Sequence, residues 1–179
     1  PDSKAISTFL DGHTLAVVLV AAQIAEGYAA SPAEMLRLLE KRAASGVTPF
    51  KDLVLDHEDE DKDKNLALSL SLSYDALKPD LQRRFRATGI FALEGSFDRQ
   101  ALAGVWGDAD EDDSRAPLSA LLGAGLLEPA SQEGRYTQHR VLRAYARALL
   151  NEKGELDEAQ TGHFAFYEAR HTEYGEDYQ

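Results

Sequence analysis

The chain has no cysteine, so its histidines and carboxylates are the side chains left for ligation or proton transfer. Disulfides, thiolate metal sites and thiol catalysis are excluded, which fits a reducing compartment. The five histidines are His13, His57, His139, His163 and His171. They show no mutual ligand spacing. His163 and His171 can share a helix face, where a structural role is the simpler reading. No Asp/Glu pair stands isolated in an apolar setting, so no general acid–base site is expected. The run His57-Glu58-Asp59-Glu60-Asp61-Lys62-Asp63-Lys64 lacks the Asp-x-Asp-x-Asp-Gly order and distal Glu of a calcium loop. It is expected to be a solvated linker. No Gly-x-x-x-x-Gly-Lys-[Ser/Thr] occurs, so nothing cradles a triphosphate, no acidic magnesium-holding strand is apparent, and the chain alone is not expected to be an enzyme. His139 differs from the other histidines in position: it falls where a short ribbon ends and a helix begins. There it either caps the helix locally or offers a donor to a ligand.

The stretch Leu121–Leu150 positions that histidine. It holds the end of a helix, a glycine stop, two ribbon arms (Leu126-Leu127-Glu128 and Arg135-Tyr136-Thr137), and a polar connection from Pro129 to Gly134 rich in turn formers. The helix after His139 carries Val141, Leu142, Tyr145 and Leu149 at helical spacing, with Arg140, Arg143 and Arg147 on another face. These arginines are expected to face solvent or a partner domain.

Upstream, residues 1–11 hold a short helix broken by Gly12. Leu15–Ala25 is an apolar helix expected to be buried on most faces and closed by Gly27. Ser31-Pro32-Ala33-Glu34 opens the next helix with a capping residue, a proline at the first position and a capping-box glutamate. That helix runs to about Ala44 and stops at Gly46. Asn65–Leu77 is ambiguous: Leu66, Leu68, Leu70 and Leu72 alternate as in a strand, while Leu66, Leu70, Tyr74 and Leu77 align as in a helix. A helix from Pro79 to about Thr88 points Leu81 and Phe85 inward and Arg83 and Arg84 outward, and Gly89 ends it. Ser96 is expected to cap a helix over Asp98–Trp106, with Leu102 and Trp106 in the core. Asp108–Asp113 is expected to be exposed, and Ser114–Ala124 is the helix before the ribbon. Leu156–Gln179 is an amphipathic helix with an aromatic face.

The net charge of −12 opposes a general nucleic-acid binder, which needs a basic face for phosphates, and disfavours an anionic membrane. The longest apolar run, Leu15–Ala22, is far short of the roughly 18 residues of a spanning helix. A hydrophobic fraction of 44% supports a core, and the length fits one domain or two small ones. With no signal peptide and a start at Pro1, the chain is expected to be an excised piece of a longer cytoplasmic protein.

Several motifs together resemble one family. Gly12-His13-Thr14-Leu15-Ala16-Val17 is similar to the Gly-x-Pro-Leu-Ala motif of NB-ARC modules, the nucleotide-binding switches of STAND ATPases. Leu70–Trp106, LSLSYDALKPDLQRRFRATGIFALEGSFDRQALAGVW, resembles the opening of their winged-helix subdomain. Tyr136-Thr137-Gln138-His139-Arg140 aligns with the Met-His-Asp motif that closes it. The resemblance implies a mainly α chain: a helical subdomain over 1–48, a charged linker over 49–64, a winged helix with a short two-stranded β-ribbon over 65–150, and a linking helix over 151–179 toward tetratricopeptide repeats. It makes 66–77 a helix. It implies a signal-transduction switch that closes over ADP held by a P-loop domain of the same chain, absent here, with His139 reaching the β-phosphate and Gly12 and Thr14 near the base. ADP or ATP is then a cofactor of the full-length protein, with none expected on this piece alone. The expected partners are that P-loop domain, a following repeat sensor domain and, on activation, further copies in a homo-oligomer. Two positions depart from the family: Thr14 stands where a proline packs on adenine, and Arg140 replaces the aspartate that helps hold the inactive state.

Two other classes compete with this reading. A DNA-binding winged-helix transcription regulator would insert the helix before the wing into the major groove. That helix has Arg115 as its only cation and follows the acids 108–113, so neither nucleic acid nor membrane is an expected partner. A protein-interaction scaffold would use exposed apolar surface.

Overall fold

The computed structural model describes residues 2–45 and 60–176. Within them the chain is mainly helical, with a three-stranded antiparallel sheet. It divides into two compact units, residues 1–78 with 123–126, and residues 79–122 with 127–179.

The first unit contains α1 (Asp2–Phe9), α2 (Thr14–Ala25), α3 (Pro32–Ala44) and α4 (Glu60–Asp75). Ile6, Leu10, Leu19, Met35, Leu39, Leu66 and Leu70 form its core. The turn between α1 and α2 needs positive φ at Asp11 (50°) and Gly12 (66°), which glycine adopts at no steric cost. At α3 the Ser31 side chain accepts the Glu34 N–H at 3.2 Å, and the Glu34 carboxylate accepts the Ala30 N–H at 2.7 Å. The return bond of the expected capping box is therefore displaced by one residue.

α2 differs from its expectation. Leu15, Ala16, Leu19, Val20 and Gln23 are buried, but Val18, Ala21 and Ala25 lie exposed at helical spacing on the other side. High hydrophobicity all round did not place it at the centre of a core.

Asn65–Leu77 is resolved as helix. Leu66–Tyr74 are buried without a break, which is why its leucines and serines carry no one-sided helical stripe. The buried hydroxyls bond back to the helix, Ser69 Oγ to Asn65 O at 3.0 Å and Ser71 Oγ to Leu68 O at 2.9 Å. Asn65 Nδ2 donates to Phe9 O at 3.0 Å, and Arg42 pairs with Asp75. The charged linker expected over 49–64 lies outside the described residues as far as 59, as does Gly46. From Glu60 the chain is already helix. The division between units falls at Lys78/Pro79, so α4 packs with α2 and α3 rather than opening the second unit.

The second unit contains α5 (Pro79–Ala87), a 3-10 turn (Thr88–Ile90), β1 (Phe97–Asp98), α6 (Arg99–Trp106), α7 (Arg115–Gly123), β2 (Glu128–Pro129), β3 (Arg135–Thr137), α8 (Arg140–Glu152) and α9 (Leu156–Glu176). The sheet order is β1-β3-β2. Phe97 pairs with Tyr136 and Asp98 with Arg135; Glu128 pairs with Thr137 and Pro129 with Tyr136. The expected two-stranded ribbon thus gains a third strand, too short for any periodicity to announce. Asp98, not Ser96, caps α6: its Oδ1 accepts the Ala101 N–H at 2.8 Å. Ser96 Oγ instead accepts from Arg135 Nε at 2.7 Å. Phe85, Phe97, Leu102, Trp106, Leu142 and Tyr145 form the core.

α9 packs across α6 at a seam of two glycines. A methyl carbon on Gly104 would lie 2.8 Å from Phe166 Cβ, and one on Gly162 would lie 2.6 Å from Gly104 O. No side chain fits at either position without displacing its neighbour. The helix expected to lead into a following domain is therefore docked on the second unit.

Candidate functional site

His139 stands at the end of a segment fixed by three devices. β3 pairs on both edges, with β1 and with β2. Gln138 is 2% exposed, its Oε1 3.2 Å from Thr88 Oγ1. Finally, the turn Thr88-Gly89-Ile90 lies against the backbone of α8, where Gly89 leaves no room for a side chain. The apolar face of α8 then fixes the helix direction: Val141, Leu142, Tyr145, Ala146, Leu149 and Leu150 are all buried.

His139 is the N-cap of α8 (φ −53°, ψ 137°), and its Nδ1 accepts the Val141 N–H at 3.3 Å. An accepting Nδ1 assigns the proton of the neutral ring to Nε2. The ring lies at the surface. Partial loss of water around it lowers its pKa below the ordinary histidine value; Glu128 opposes that shift and Arg140 adds to it. Near neutral pH the ring is therefore an uncharged donor at the positive end of a thirteen-residue helix. Exposed Arg140 follows it as the first helical residue.

Gly12 and Thr14 adjoin one another in the first unit. Gly12 supplies the turn, its N–H donating to Ser7 O at 2.8 Å, and Thr14 is the exposed first residue of α2. The structure thus places two of the sequence-derived site residues together, and His139 belongs to the other unit. Among the described residues no three His, Asp or Glu side chains form a metal-binding group, and no helix is long and apolar enough to cross a membrane. An open groove of about 520 Å³ is lined by Gln100, Ala103, Asp108, Phe166, Ala169 and Arg170, among others. None of His139, Gly12 and Thr14 contributes to it.

Three side chains were placed outside by sequence reasoning and lie inside. Arg143 is 1% exposed. Its Nη2 donates to Gly95 O at 3.2 Å and its guanidinium sits 5.8 Å over the Phe97 ring. Nε and Nη1 have no partner, and burial lowers its pKa. The spacing held the signal: Arg143, Ala146 and Leu150 share one face of α8 with apolar company. The other two are Arg84 and Asp108, joined by paired bonds of 2.6 and 2.8 Å, with side chains 12% and 8% exposed. Burial alone would raise the Asp108 carboxyl. The bonds from Arg84 and Ser114 and the charges of Arg84 and Arg83 more than offset this and hold it below the ordinary carboxylate value. Arg84 also lies 5.1 Å over Trp106, whose Nε1 donates to Arg84 O at 2.9 Å.

The chain matches no family model and no curated protein.

Proposed function

We propose that this chain is a regulatory switch portion of a cytoplasmic STAND-type ATPase, in which the second unit is a winged helix that closes over ADP held by a P-loop domain. The observation that carries the reading is the chain order around His139: an antiparallel strand pair, a tucked Gln138, then a histidine capping a long helix with Nε2 left free of the cap. Further support comes from the helix–strand–helix–helix–strand–strand order of α5, β1, α6, α7, β2 and β3, with β3 between β1 and β2. We read that order as a winged helix whose first helix is α5.

In this reading the Nε2 hydrogen of His139 donates to the terminal phosphate of ADP, and the dipole of α8 adds positive potential. ADP is then bound better by the closed arrangement than by the open one, and its loss shifts the population toward opening. Gly12 and Thr14 serve the base from the first unit. Thr14 replaces a flat proline contact with a hydroxyl, and Arg140 replaces an acid with a cation. Release then exposes surfaces for homo-oligomer assembly, and α9 leads toward a repeat sensor domain. A DNA-reading role is disfavoured because Arg115, the single cation of α7, is paired with Asp112 at 2.7 Å.

The test is ADP retention in the chain extended upstream through the P-loop domain. Wild type is expected to purify with ADP, and His139→Ala to lose it or exchange it much faster. Equal retention by both proteins would leave His139 as a local cap and refute the assignment.

A further inference from the structure

The groove of about 520 Å³ on the second unit lies between two walls that are each held in place. One wall is the loop after α6. Asp108 is fixed by its paired bonds to Arg84, the Asp110 side chain accepts the Asp112 N–H at 2.8 Å, and Glu111 lies 3.3 Å from Arg99 of α6. Buried Ser114 ends the loop, its hydroxyl donating to Asp108 at 2.6 Å. The other wall is α9, where Phe166 closes on Gly104 and Arg170 bonds Asp98 at 3.1 Å. Ala103, Ala109 and Ala169 leave the room between them. A cleft whose walls are set before a ligand arrives loses little freedom on binding it.

The charge of the lining is one-sided. The carboxylates of Asp108, Asp110 and Glu111 line the groove, with Arg170 as the cation. Arg84 answers Asp108, Arg99 answers Glu111 and Asp98 answers Arg170. Among the described residues, Asp110 is the lining carboxylate left without an ion pair. A lone carboxylate beside small apolar side chains suits an arginine: the methylene stem lies on the alanines and the guanidinium forks onto the carboxylate. We propose that this groove docks a basic segment of another protein by taking an arginine side chain onto Asp110. The net charge of −12 favours encounter with such a cationic partner. The surface shares no residue with the His139 turn, so the proposal is independent of the switch reading.

The probe is a blocked hexapeptide with two arginines among alanines, titrated into the chain and followed through the backbone amide resonances. Expected are saturable shifts at Ala109, Asp110, Phe166 and Ala169. Citrulline keeps the shape of arginine without its charge, and the peptide carrying it is expected not to bind. Asp110→Asn is expected to weaken binding about three- to fivefold. Asp113→Asn removes the same charge from an exposed neighbour outside the groove and is expected to change it little. Ala169→Leu, at an exposed position of α9, fills the groove without touching its charges and is expected to abolish binding. If that variant loses helical circular dichroism, Ala109→Leu on the loop replaces it. Equal binding of the citrulline peptide, an equal loss in Asp113→Asn, or binding that survives the filled groove would overturn the proposal. Spermidine moving the same amides with the same affinity would mark a counterion surface and overturn it too.

Discussion

Gly89→Ala is the substitution on which two general effects disagree in sign. Gly89 lies in the 3-10 turn packed on α8, and its φ is outside the left-handed range, so an alanine can adopt the backbone there. By unfolded-state entropy alone the change would stabilise by about 0.4–1 kcal/mol. The added methyl carbon, however, would lie 2.7 Å from Arg147 Cα and 2.8 Å from Ala146 C, where ordinary carbon contacts are about 3.5–4.0 Å. It must push back by roughly 0.8 Å against helix backbone, which has no rotamer to change. Overpacking of this kind costs about 1–3 kcal/mol, occasionally more, and an unyielding obstacle belongs at the upper end. The net expectation is destabilisation of about 2 kcal/mol. At about 4–8 °C per kcal/mol for a unit of roughly a hundred residues, Tm falls by about 8–16 °C. The assay is a thermal melt followed by Trp106 fluorescence, since the single tryptophan reports the second unit. Gly95→Ala serves as control, because a methyl carbon there meets its nearest atom at an acceptable 3.4 Å. An unchanged or raised Tm for Gly89→Ala would refute the claim that this turn is wedged onto α8 and thereby sets where His139 stands.

Two further expectations concern charge. His163 on α9 packs 5.6 Å from the Phe91 ring and 4.8 Å from the Tyr167 ring, and burial lowers its pKa. The folded state holds the ring neutral, so the unfolded chain takes up the proton first as pH falls through about 6.5. Stability is then full above that pH and is lost below it, and the fall in Tm between about pH 7 and pH 5.5 should be shallower in His163→Gln; identical slopes would refute a folded-state origin at this ring. The depressed Asp108 titrates in a separate window, its contribution being lost only as pH falls below the ordinary carboxylate value. Arg84→Met strands the Asp108 carboxylate and is expected to cost about 3 kcal/mol in urea unfolding followed by Trp106. Asp108→Leu on top of it should restore a good part of the loss, and a single-mutant cost under about 1 kcal/mol would show the pair to be dispensable.

What the sequence disclosed follows from local physics. Gly12, Ser31-Pro32 and Gly134 punctuate the chain through φ and capping, which act within a few residues, and the helices between them appear where their apolar periods place them. His139 at the mouth of α8 was legible for the same reason. What stayed hidden depends on partners far away along the chain. Arg84 and Asp108 each belong to a polar stretch that reads as solvated, and only the fold brings them together. Arg143 shares a helical face with Ala146 and Leu150, but the Phe97 ring it meets belongs to a strand two residues long that carries no pattern. α4 was ambiguous because burial over nine successive residues removes the contrast between faces on which both periodicities depend. The division at Pro79 was missed because the nearby acidic run is the louder compositional signal.

The glycine seam has a mechanical consequence. Along α9, Ala159 is buried, Gly162 meets the backbone of Gly104, Phe166 closes on Gly104 and Arg170 reaches Asp98 at 3.1 Å, so contact with α6 and its N-cap runs from Ala159 to Arg170 while Phe164 stays 69% exposed. Close backbone contact holds well against sliding but poorly against lifting, because dispersion fades within an ångström or so of separation. Lifting α9 then means parting the glycine seam and the Arg170–Asp98 bond together, so close packing and an ion pair resist separation in concert.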